Sequence, residues 1–362
     1  MAEGIGIGDV LARADRGDEL LLLDVRNDEE FEAWRLEARR PIETLHVPYF
    51  DFIEDPDGSI AMVPKDKDLV VLCVKGGSSE MVADLLAEAG LRARSVSGGM
   101  IAYGEHLQVA RVPGRIEIHQ LNRRGKGCLS YLIRSGKDAV VVDPTRRVDA
   151  YLDLARKLGC SIRHVLDTHV HADHLSGRRE LAARAGAGDA IEPGSAIDLD
   201  GGKLSIRSVA SPGHTPESVL YLVGASHLLA GDTLFVSGVG RPDLGGEVEA
   251  WGRELFRTLH ERIAALDDDV VVLPAHYGGP AEIGPDGVVA GRLGSLRRDV
   301  QEMKIRDERR FVEAMRAAVR EPPQTYARIV RANRGLESPS EEEKLEWELG
   351  KNRCAAEARG AS

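Results

Sequence analysis

The chain has 362 residues, of which 43% are hydrophobic, so it can build two or three domains with packed cores. Its 48 basic and 59 acidic residues give a formal net charge of −11, which argues against a nucleic-acid backbone or an anionic membrane as the main partner. The N-terminal residues have acids where a signal peptide has lysines, and no stretch approaches the ~20 apolar residues of a membrane helix. The sequence therefore predicts a cytoplasmic protein.

The first domain is predicted to span residues 1–112. Its apolar runs "LLLLDV" (20–25) and "DLVVLCV" (68–74) are predicted strands, and the helical pattern "SSEMVADLLAEAGL" (78–91) follows the second of them. Strands that alternate with helices in this way indicate a parallel sheet with helices on both faces. We therefore expect an α/β fold of the doubly wound kind.

The loop "CVKGGSSE" (73–80) places Cys73 between a predicted strand and a predicted helix. Backbone N–H groups and the positive end of the helix dipole stabilise an anion at such a position. Glycines in the loop would allow it to curl so that several N–H groups point inward. The loop therefore predicts a thiolate that attacks sulfane sulfur and carries it as a persulfide. The residues expected to bind its substrate are Lys75, Gly76, Gly77 and Ser78.

This domain resembles the rhodanese-type sulfurtransferases. The resemblance rests on the cysteine loop, on "LLLLDVRNDEEF" (20–31) and on "SVSGGM" (95–100). Two departures put thiosulfate in question as the sulfur donor. The loop has only Lys75 where the family often has arginines, and "AWRLEARRPIETLHVP" (33–48) replaces the family's usual segment after Glu-Phe. The alternative is an inactive domain with a structural cysteine, which acts as a binding module for a partner.

The second domain is predicted to span residues 113–290. Its apolar runs, such as "DAVVVDP" (138–144) and "RHVLDTH" (163–169), end in polar residues, and α/β folds build their sites beyond the ends of strands. Imidazole and carboxylate groups together suit iron, zinc or a similar divalent metal. Ligand-type residues occur in "THVHADH" (168–174) and at the ends of later strands. They are His169, His171, Asp173, His174, His214, Asp232 and His276.

This pattern resembles the metallo-β-lactamase superfamily, whose fold is a four-layer αβ/βα sandwich with the metal site at one edge of the two sheets. The resemblance implies two alternatives. Hydrolases of the glyoxalase II type use all seven residues to hold two zinc or iron ions, and the residue that corresponds to Asp232 bridges them. Persulfide dioxygenases hold one Fe(II) through residues that correspond to His169, His214 and Asp232, which leaves positions open for a substrate and O₂. The candidates for a second metal, or for the surroundings of the first, are His171, Asp173, His174 and His276.

Three segments resemble the persulfide dioxygenase branch: "CLSYLI" (128–133), "THVHADHLSG" (168–177) and "GDTLFVSGVGRPDL" (231–244). By this resemblance Arg241 would bind the thiol cosubstrate or its carboxylate, which a guanidinium can pair with through two hydrogen bonds. The alternative for Arg241 is a structural salt bridge with Asp243 or another acid. Tyr277 is expected either to line the same pocket or to pack in the core.

Residues 291–362 are predicted to form a charged helical extension. Apolar residues recur there at three- and four-residue steps, and such an apolar stripe must pack against another part of the protein or against a partner. It would cover the metal domain itself, or also a subunit or interdomain surface, as in a homodimer. The stripe residues are Leu293, Leu296, Val300, Met303, Phe311, Met315 and Val319.

The four cysteines are too widely scattered to form a disulfide framework, which agrees with a reducing compartment. Cys128 and Cys160 lie in apolar segments and are predicted to be core residues. Cys354 lies near the end of the chain and is predicted to be an exposed thiol.

Together the two domains predict an enzyme that handles sulfane sulfur. The metal domain would oxidise a low-molecular-weight persulfide, most simply glutathione persulfide, with O₂ to sulfite and thiol, and would hold one Fe(II). Cys73 would deliver sulfur to the thiol, or would combine sulfite with persulfide sulfur to give thiosulfate. The alternative is a dinuclear zinc thioester hydrolase of the glyoxalase II type.

Overall fold

The computed structural model describes residues 3–354, which divide into two compact units. Residues up to Gln108, together with Arg123–Lys126 and Leu349–Lys351, form the first unit. The second unit contains Val109–Asn122, Gly127–Glu348 and residues 352–354. Among the described residues, no helix is both long enough and apolar enough to cross a membrane.

The first unit is a parallel five-stranded sheet with helices on both faces. The strands are β1 (Gly4–Ile5), β2 (Leu21–Asp24), β3 (Glu43–His46), β4 (Leu69–Leu72) and β5 (Ala93–Val96), in the order β1-β5-β4-β2-β3. The helices are α1 (Ile7–Arg16), α2 (Asp28–Ala33), α3 (Tyr49–Glu54), α4 (Pro56–Ala61), α5 (Gly77–Glu88) and α6 (Gly99–Glu105). The predicted doubly wound fold is confirmed.

The central strands of this sheet are apolar on both sides because both faces are covered. Successive side chains of a strand point to opposite faces. Leu22 and Val70 accordingly belong to one apolar cluster, while Leu23 and Val71 belong to the cluster on the other face. This two-sided burial explains why the strands read as continuous apolar runs rather than as an alternation.

The second unit contains two mixed sheets. The first has β6 (Leu107–Arg111), β7 (Glu117–Arg123), β8 (Cys128–Ser135), β9 (Asp138–Val142) and β10 (Ser161–Leu166), in the order β10-β9-β8-β7-β6. The second has β11 (Ala196–Leu199), β12 (Leu204–Ala210), β13 (Val219–Val223), β14 (His227–Gly231), β15 (Val271–Pro274) and β16 (Gly291–Arg292), in sequential order. The helices of this unit are α7 (Val148–Leu158), α8 (Arg178–Ala185), α9 (Val248–Arg257), α10 (Leu293–Asp299), α11 (Gln301–Lys304), α12 (Glu308–Ala317), α13 (Thr325–Asn333) and α14 (Glu341–Trp347).

The two sheets pack face to face, and their alternating residues divide between an inner and an outer core. Tyr221 of β13 belongs to the inner cluster, which also contains Tyr131 of β8. Its neighbour Leu222 belongs to the outer cluster, together with Leu255 of α9 and Phe311 of α12. Helices therefore cover the outer face of the second sheet. This architecture agrees with the predicted four-layer sandwich.

The helices after residue 291 pack on the second unit, which was one of the two alternatives for the apolar stripe. Six of the seven stripe residues are buried in the outer cluster: Leu293, Leu296, Val300, Met303, Phe311 and Met315. Val319 does not join them, because α12 ends at Ala317 and the Val319 side chain is 45% exposed. The sequence pattern did not predict α13.

We expect Phe311→Ala to lower the free energy of unfolding by about 3–5 kcal/mol, because it leaves a cavity in the outer core. Val319→Ala is the matched control. It should change the free energy by no more than about 0.5 kcal/mol, since that side chain is exposed. Urea unfolding of both variants measures the difference. Equal effects would mean that α12 does not contribute to the core as its burial indicates.

Candidate metal centre and cysteine loop

The seven predicted ligand-type side chains come together in the second unit, near the ends of its strands. His169 follows β10, His214 follows β12, Asp232 follows β14 and His276 follows β15. All seven are buried, and none is more than 4% exposed. They do not form one set, however. Their contacts separate six of them into a triad and a group organised around Asp173, while His171 contacts Asp143 instead. Single ring nitrogens that are unpaired within the described part of the chain also occur on His171 and His174.

The triad consists of His169, His214 and Asp232. The Nε2 atoms of His169 and His214 lie 3.6 Å and 3.4 Å from Oδ2 of Asp232. None of these three atoms has a hydrogen-bond partner among residues 3–354, although all are buried. Buried polar atoms are normally paired, so three orphaned atoms that face one another indicate a missing partner. A divalent cation fits this donor set of two nitrogens and one oxygen.

In both histidines of the triad, the hydrogen bond made by Nδ1 determines that Nε2 is the ring nitrogen without a proton. Thr168 donates its hydroxyl proton to Asp143, so its Oγ1 accepts the hydrogen bond from Nδ1 of His169 at 2.9 Å. Nδ1 of His214 donates to the carbonyl of Arg241, also at 2.9 Å. With the proton on Nδ1, each Nε2 presents a lone pair toward Asp232. Metal-binding histidines are oriented by the same kind of hydrogen bond.

The charge states of the triad also suit a metal. Burial lowers the pKa of His169 well below its ordinary value and lowers that of His214, so both rings are neutral near neutral pH. Burial raises the pKa of Asp232, but the nearby His276 and His169 outweigh this effect and bring it below the ordinary value. Neutral imidazole and ionised carboxylate are the forms that bind a cation.

The second group is organised around Asp173. Its Oδ2 accepts hydrogen bonds from Nε2 of His276 at 2.9 Å and from the thiol of Cys128 at 3.1 Å, and its Oδ1 lies 3.1 Å from Nδ1 of His174. His276 also donates through Nδ1 to Oδ1 of Asp232 at 2.5 Å. Burial opposes protonation of His276, but Asp173 and Asp232 raise its pKa well above the ordinary value. His276 therefore links the triad to the second group as a donor at both nitrogens.

His171 belongs to neither set. Its Nε2 lies 3.0 Å from Oδ1 of Asp143, which also accepts the backbone N–H of Thr168 at 2.6 Å. Asp143 has a φ of 54°, a left-handed conformation that few residues adopt, and it lies directly after β9. Asp143 was not among the residues predicted for this site. Its position in "VVVDP", at the end of a buried strand, is the signal that identifies it.

The chain approaches Asp232 closely at Gly240, within the segment 231–244. A Cβ atom at Gly240 would lie only 1.8 Å from the carbonyl oxygen of Asp232 and 3.0 Å from Nδ1 of His214. The two segments can therefore meet only because residue 240 has no side chain. This close approach brings the carbonyl of Arg241 to the ring of His214.

Two cysteines lie at the metal centre, which corrects the sequence analysis. Cys354 was expected to be exposed, but it is fully buried, with its ligand atom and those of Asp232 and His276 within 4.8 Å of one another. Cys128 is buried as expected, but its thiol contacts a carboxylate rather than apolar atoms alone. Cys160 is only partly buried. No local pattern in the chain indicates that Cys354 reaches this centre.

The guanidinium of Arg241 forms the salt bridge that was the alternative to substrate binding. Its Nε and one terminal nitrogen donate to the two carboxylate oxygens of Asp243, at 2.8 Å and 2.5 Å. It also donates to the carbonyl of Arg320. The hydroxyl of Tyr277 donates to Asn122 at 3.0 Å, and its ring belongs to the core between the two sheets. These contacts agree with the structural alternative for both residues, and their substrate-binding role stays a prediction.

In the first unit, Cys73 lies directly after β4 and immediately before the turn into α5. Its Sγ accepts the backbone N–H of Gly76 at 3.0 Å and lies 3.2 Å from Oγ of Ser79. Gly76 has a φ of 104°, which favours glycine there. Cys73 is buried, while Lys75 is exposed. Of the several loop N–H groups expected to point inward, that of Gly76 contacts the sulfur, and Gly77 lies at the first position of α5.

Ser79 is a residue of this loop that the sequence analysis missed in favour of Ser78. The Ser79 side chain is fully buried, whereas Ser78 is only partly buried. Besides Cys73, Oγ of Ser79 contacts the carbonyl of Gly76 at 3.0 Å and the hydroxyl of Ser95 at 2.9 Å. Because the two serines are adjacent in "SSE", the sequence alone does not show which of them faces the sulfur.

The chain belongs to the metallo-beta-lactamase superfamily and also carries a rhodanese-like domain. The metallo-beta-lactamase superfamily model matches residues 123–213, and the rhodanese-like domain model matches residues 7–106. The chain is 38% identical to a hydroxyacylglutathione hydrolase of Anaeromyxobacter dehalogenans over 191 residues, which cover 48% of this chain and 72% of that protein.

Relatives of a second kind are named persulfide dioxygenases. The chain is 32% identical to the mitochondrial persulfide dioxygenase ETHE1 of Homo sapiens over 167 residues, or 41% of this chain and 63% of that protein. The match therefore spans less than two thirds of that relative. The crystal structure of ETHE1 from Myxococcus xanthus superposes with a TM-score of 0.53 and 27% identity, over 60% of this chain and 97% of that one. Both kinds of relative are enzymes of this superfamily.

We expect Arg241→Ala to lower the free energy of unfolding by about 3–5 kcal/mol, because it leaves the buried carboxylate of Asp243 without its partner. The matched control is Arg253→Ala, which breaks an exposed pair with Glu249 and should cost no more than about 1 kcal/mol. Urea unfolding measures both. Unchanged stability with a raised KM for the persulfide would instead favour the thiol-binding role of Arg241.

Proposed function

We propose that the second unit is a persulfide dioxygenase that uses one Fe(II) held by His169, His214 and Asp232. The observation that carries this proposal is the set of three buried ligand atoms that face one another without hydrogen-bond partners among the described residues. Two histidines and one carboxylate on one side of ferrous iron leave further positions open for a substrate and O₂.

The second group supports one metal rather than two. Its members bind one another, since Asp173 accepts hydrogen bonds from His276 and from Cys128. Burial opposes the protonation of His174, but Asp173 raises its pKa to about 10. Nε2 of His174 is itself buried without a partner among the described residues, so the paired atoms of this group are chiefly those of Asp173 and His276. The role of this group would be to hold Asp232 through His276.

The residues around the metal would each have a separate role. Fe(II), when bound, would supply the chemistry that brings the persulfide sulfur and O₂ together. His169 and His214 would present their Nε2 lone pairs, and Thr168 and the carbonyl of Arg241 would keep those rings in place. Asp232 would supply the negative charge, while His276 would fix its other oxygen. The overall reaction converts a persulfide, O₂ and water to sulfite and thiol.

We also propose that the first unit transfers sulfane sulfur through Cys73. In this step the Cys73 thiolate attacks the outer sulfur of a persulfide, a new S–S bond forms, and the original S–S bond breaks to release the donor thiol. The N–H of Gly76, which donates to Sγ at 3.0 Å, would stabilise the thiolate. Transfer of the carried sulfur to glutathione would supply substrate for oxidation, and transfer to sulfite would give thiosulfate.

A second candidate is thioester hydrolysis with two zinc ions. The 38% identity to a hydroxyacylglutathione hydrolase favours it, as does the presence of all seven ligand-type residues. The deciding measurements are the metal content after anaerobic purification and the uptake of O₂ on addition of glutathione persulfide. One iron per chain with uptake supports the dioxygenase. Two metals without uptake, together with thioester cleavage, would replace it with the hydrolase.

We expect Asp232→Ala to abolish iron binding and oxygen uptake together, because it removes the only carboxylate of the triad. His276→Ala should keep iron at saturating concentration, with an affinity reduced about 10- to 100-fold, because His276 only orients a ligand. Iron titration measures both effects. Complete loss of iron in both variants would contradict the one-iron site.

We expect Cys73→Ser to abolish sulfur transfer and to leave oxygen uptake on added glutathione persulfide unchanged. Ser79→Ala should slow the transfer by no more than about tenfold, the worth of one hydrogen bond to the sulfur. Cys160→Ser is the matched control and should behave as the unmodified protein. The assay follows persulfide on the protein by mass spectrometry. Loss of both activities in Cys73→Ser would show that the two units do not work separately.

A further inference from the structure

A groove crosses the outer face of the second sheet of the second unit, beyond the end of α9. It has a volume of about 630 Å³ and is lined by residues of β12, β13 and β14 and of the turns that follow α9. None of these lining residues belongs to the metal centre. Ligand sites in proteins have volumes of ~300–1,000 Å³ and are mostly apolar with a few polar groups. This outer groove therefore suits one small organic molecule.

The floor of the outer groove is apolar because of the strand register. Leu222 of β13 lies opposite Leu228 of β14, and Leu220 of β13 lies opposite Val209 of β12. Residues directly opposite each other on neighbouring strands point to the same face of a sheet. These side chains therefore form two apolar rows on the outer face. The three leucines are buried in the outer core, and Val209 packs against it.

Two arginines are the only charged residues that line the outer groove within the described part of the chain. Arg207 lies opposite Leu222 in the register of β12 and β13, so its exposed side chain continues one of the apolar rows. Its guanidinium has no hydrogen bond or ion pair among residues 3–354. Arg262 donates to the neutral hydroxyl of Thr258 at 2.7 Å and pairs with no carboxylate of those residues.

The charge of these arginines is complementary to an anion. Acidic residues outnumber basic ones in the chain, 59 to 48, and other exposed arginines do pair with carboxylates, as Arg253 does with Glu249. Two guanidinium groups without a carboxylate at one apolar groove therefore leave a positive charge that the described residues do not compensate. A guanidinium pairs with a carboxylate through two parallel hydrogen bonds. The groove thus combines an apolar floor with a position for a carboxylate.

We propose that the outer groove binds a carboxylate with an apolar body, such as a fatty acid of medium chain length. The alkyl chain would lie on the two apolar rows, and the carboxylate would accept hydrogen bonds from the arginines. Removal of the alkyl chain from water would supply most of the affinity, since a charge pair near the surface contributes little. This inference depends neither on the metal nor on the proposed oxidation of a persulfide.

Calorimetric titration of the full-length protein with decanoate, below the concentration at which it forms micelles, tests the proposal. We expect one decanoate to bind per chain. The neutral analogue 1-decanol should bind at least about fivefold more weakly, because it lacks the charge that pairs with the arginines. Butyrate carries the same carboxylate on a short chain and should not bind measurably.

Three variants locate the site. Arg207→Gln should weaken binding of decanoate about fivefold and leave that of 1-decanol unchanged, and it removes no contact within the described chain. Val209→Asn should weaken binding of both ligands, because it makes the floor polar. Arg156→Gln is the matched control, since Arg156 is 75% exposed on α7, and it should bind decanoate as the unmodified protein does.

Four outcomes would overturn the proposal. Absence of decanoate binding would mean that the arginines only cover the apolar floor with their own alkyl stems. Unchanged affinity for decanoate in the double variant Arg207→Gln, Arg262→Gln would exclude the arginines. Loss of binding in His169→Ala would place the carboxylate at the metal centre instead. A dimer in light scattering that Val209→Asn dissociates would show that a second copy of the chain covers the groove.

Discussion

The buried carboxylate of Asp232 is the group on which the rest of the metal centre depends. An ionised carboxylate in a protein interior is costly unless each oxygen has a partner. One oxygen of Asp232 accepts a hydrogen bond from His276, and the other faces the unprotonated nitrogens of His169 and His214. The first oxygen is satisfied by the chain alone. The second oxygen still needs a positive charge, which two neutral imidazoles cannot supply.

The same requirement explains the residues around the centre. His276 can serve as a charged donor to Asp232 only because Asp173 accepts its other proton. His169 and His214 can remain unprotonated toward Asp232 only because Thr168 and the carbonyl of Arg241 accept their Nδ1 protons. These partners divide the histidines into charged donors and neutral acceptors. This division is what the proposed site for one metal would require.

The sequence predicts which side chains form this centre better than it predicts which of them contact one another. The sheets and the ligand candidates follow from short-range patterns, because each candidate comes directly after an apolar run. Which residue pairs with His276, and which serine faces Cys73, depends on tertiary geometry that no local pattern contains. Cys354 is the clearest case. It reaches Asp232 through contacts of the C-terminal segment with Arg241 and Tyr326, and these partners are remote in sequence.

The two units would stabilise anionic sulfur by different physical means. At Cys73 the donor is the neutral N–H of Gly76, which holds a thiolate without binding it permanently, and the hydroxyl of Ser79 lies beside the sulfur. At the metal centre the partner would be a cation, which binds sulfur more strongly and can also bind O₂. A neutral cradle suits a sulfur that must be released to an acceptor, whereas a metal suits a sulfur that is to be oxidised in place. This difference gives a chemical reason for one chain to contain both units.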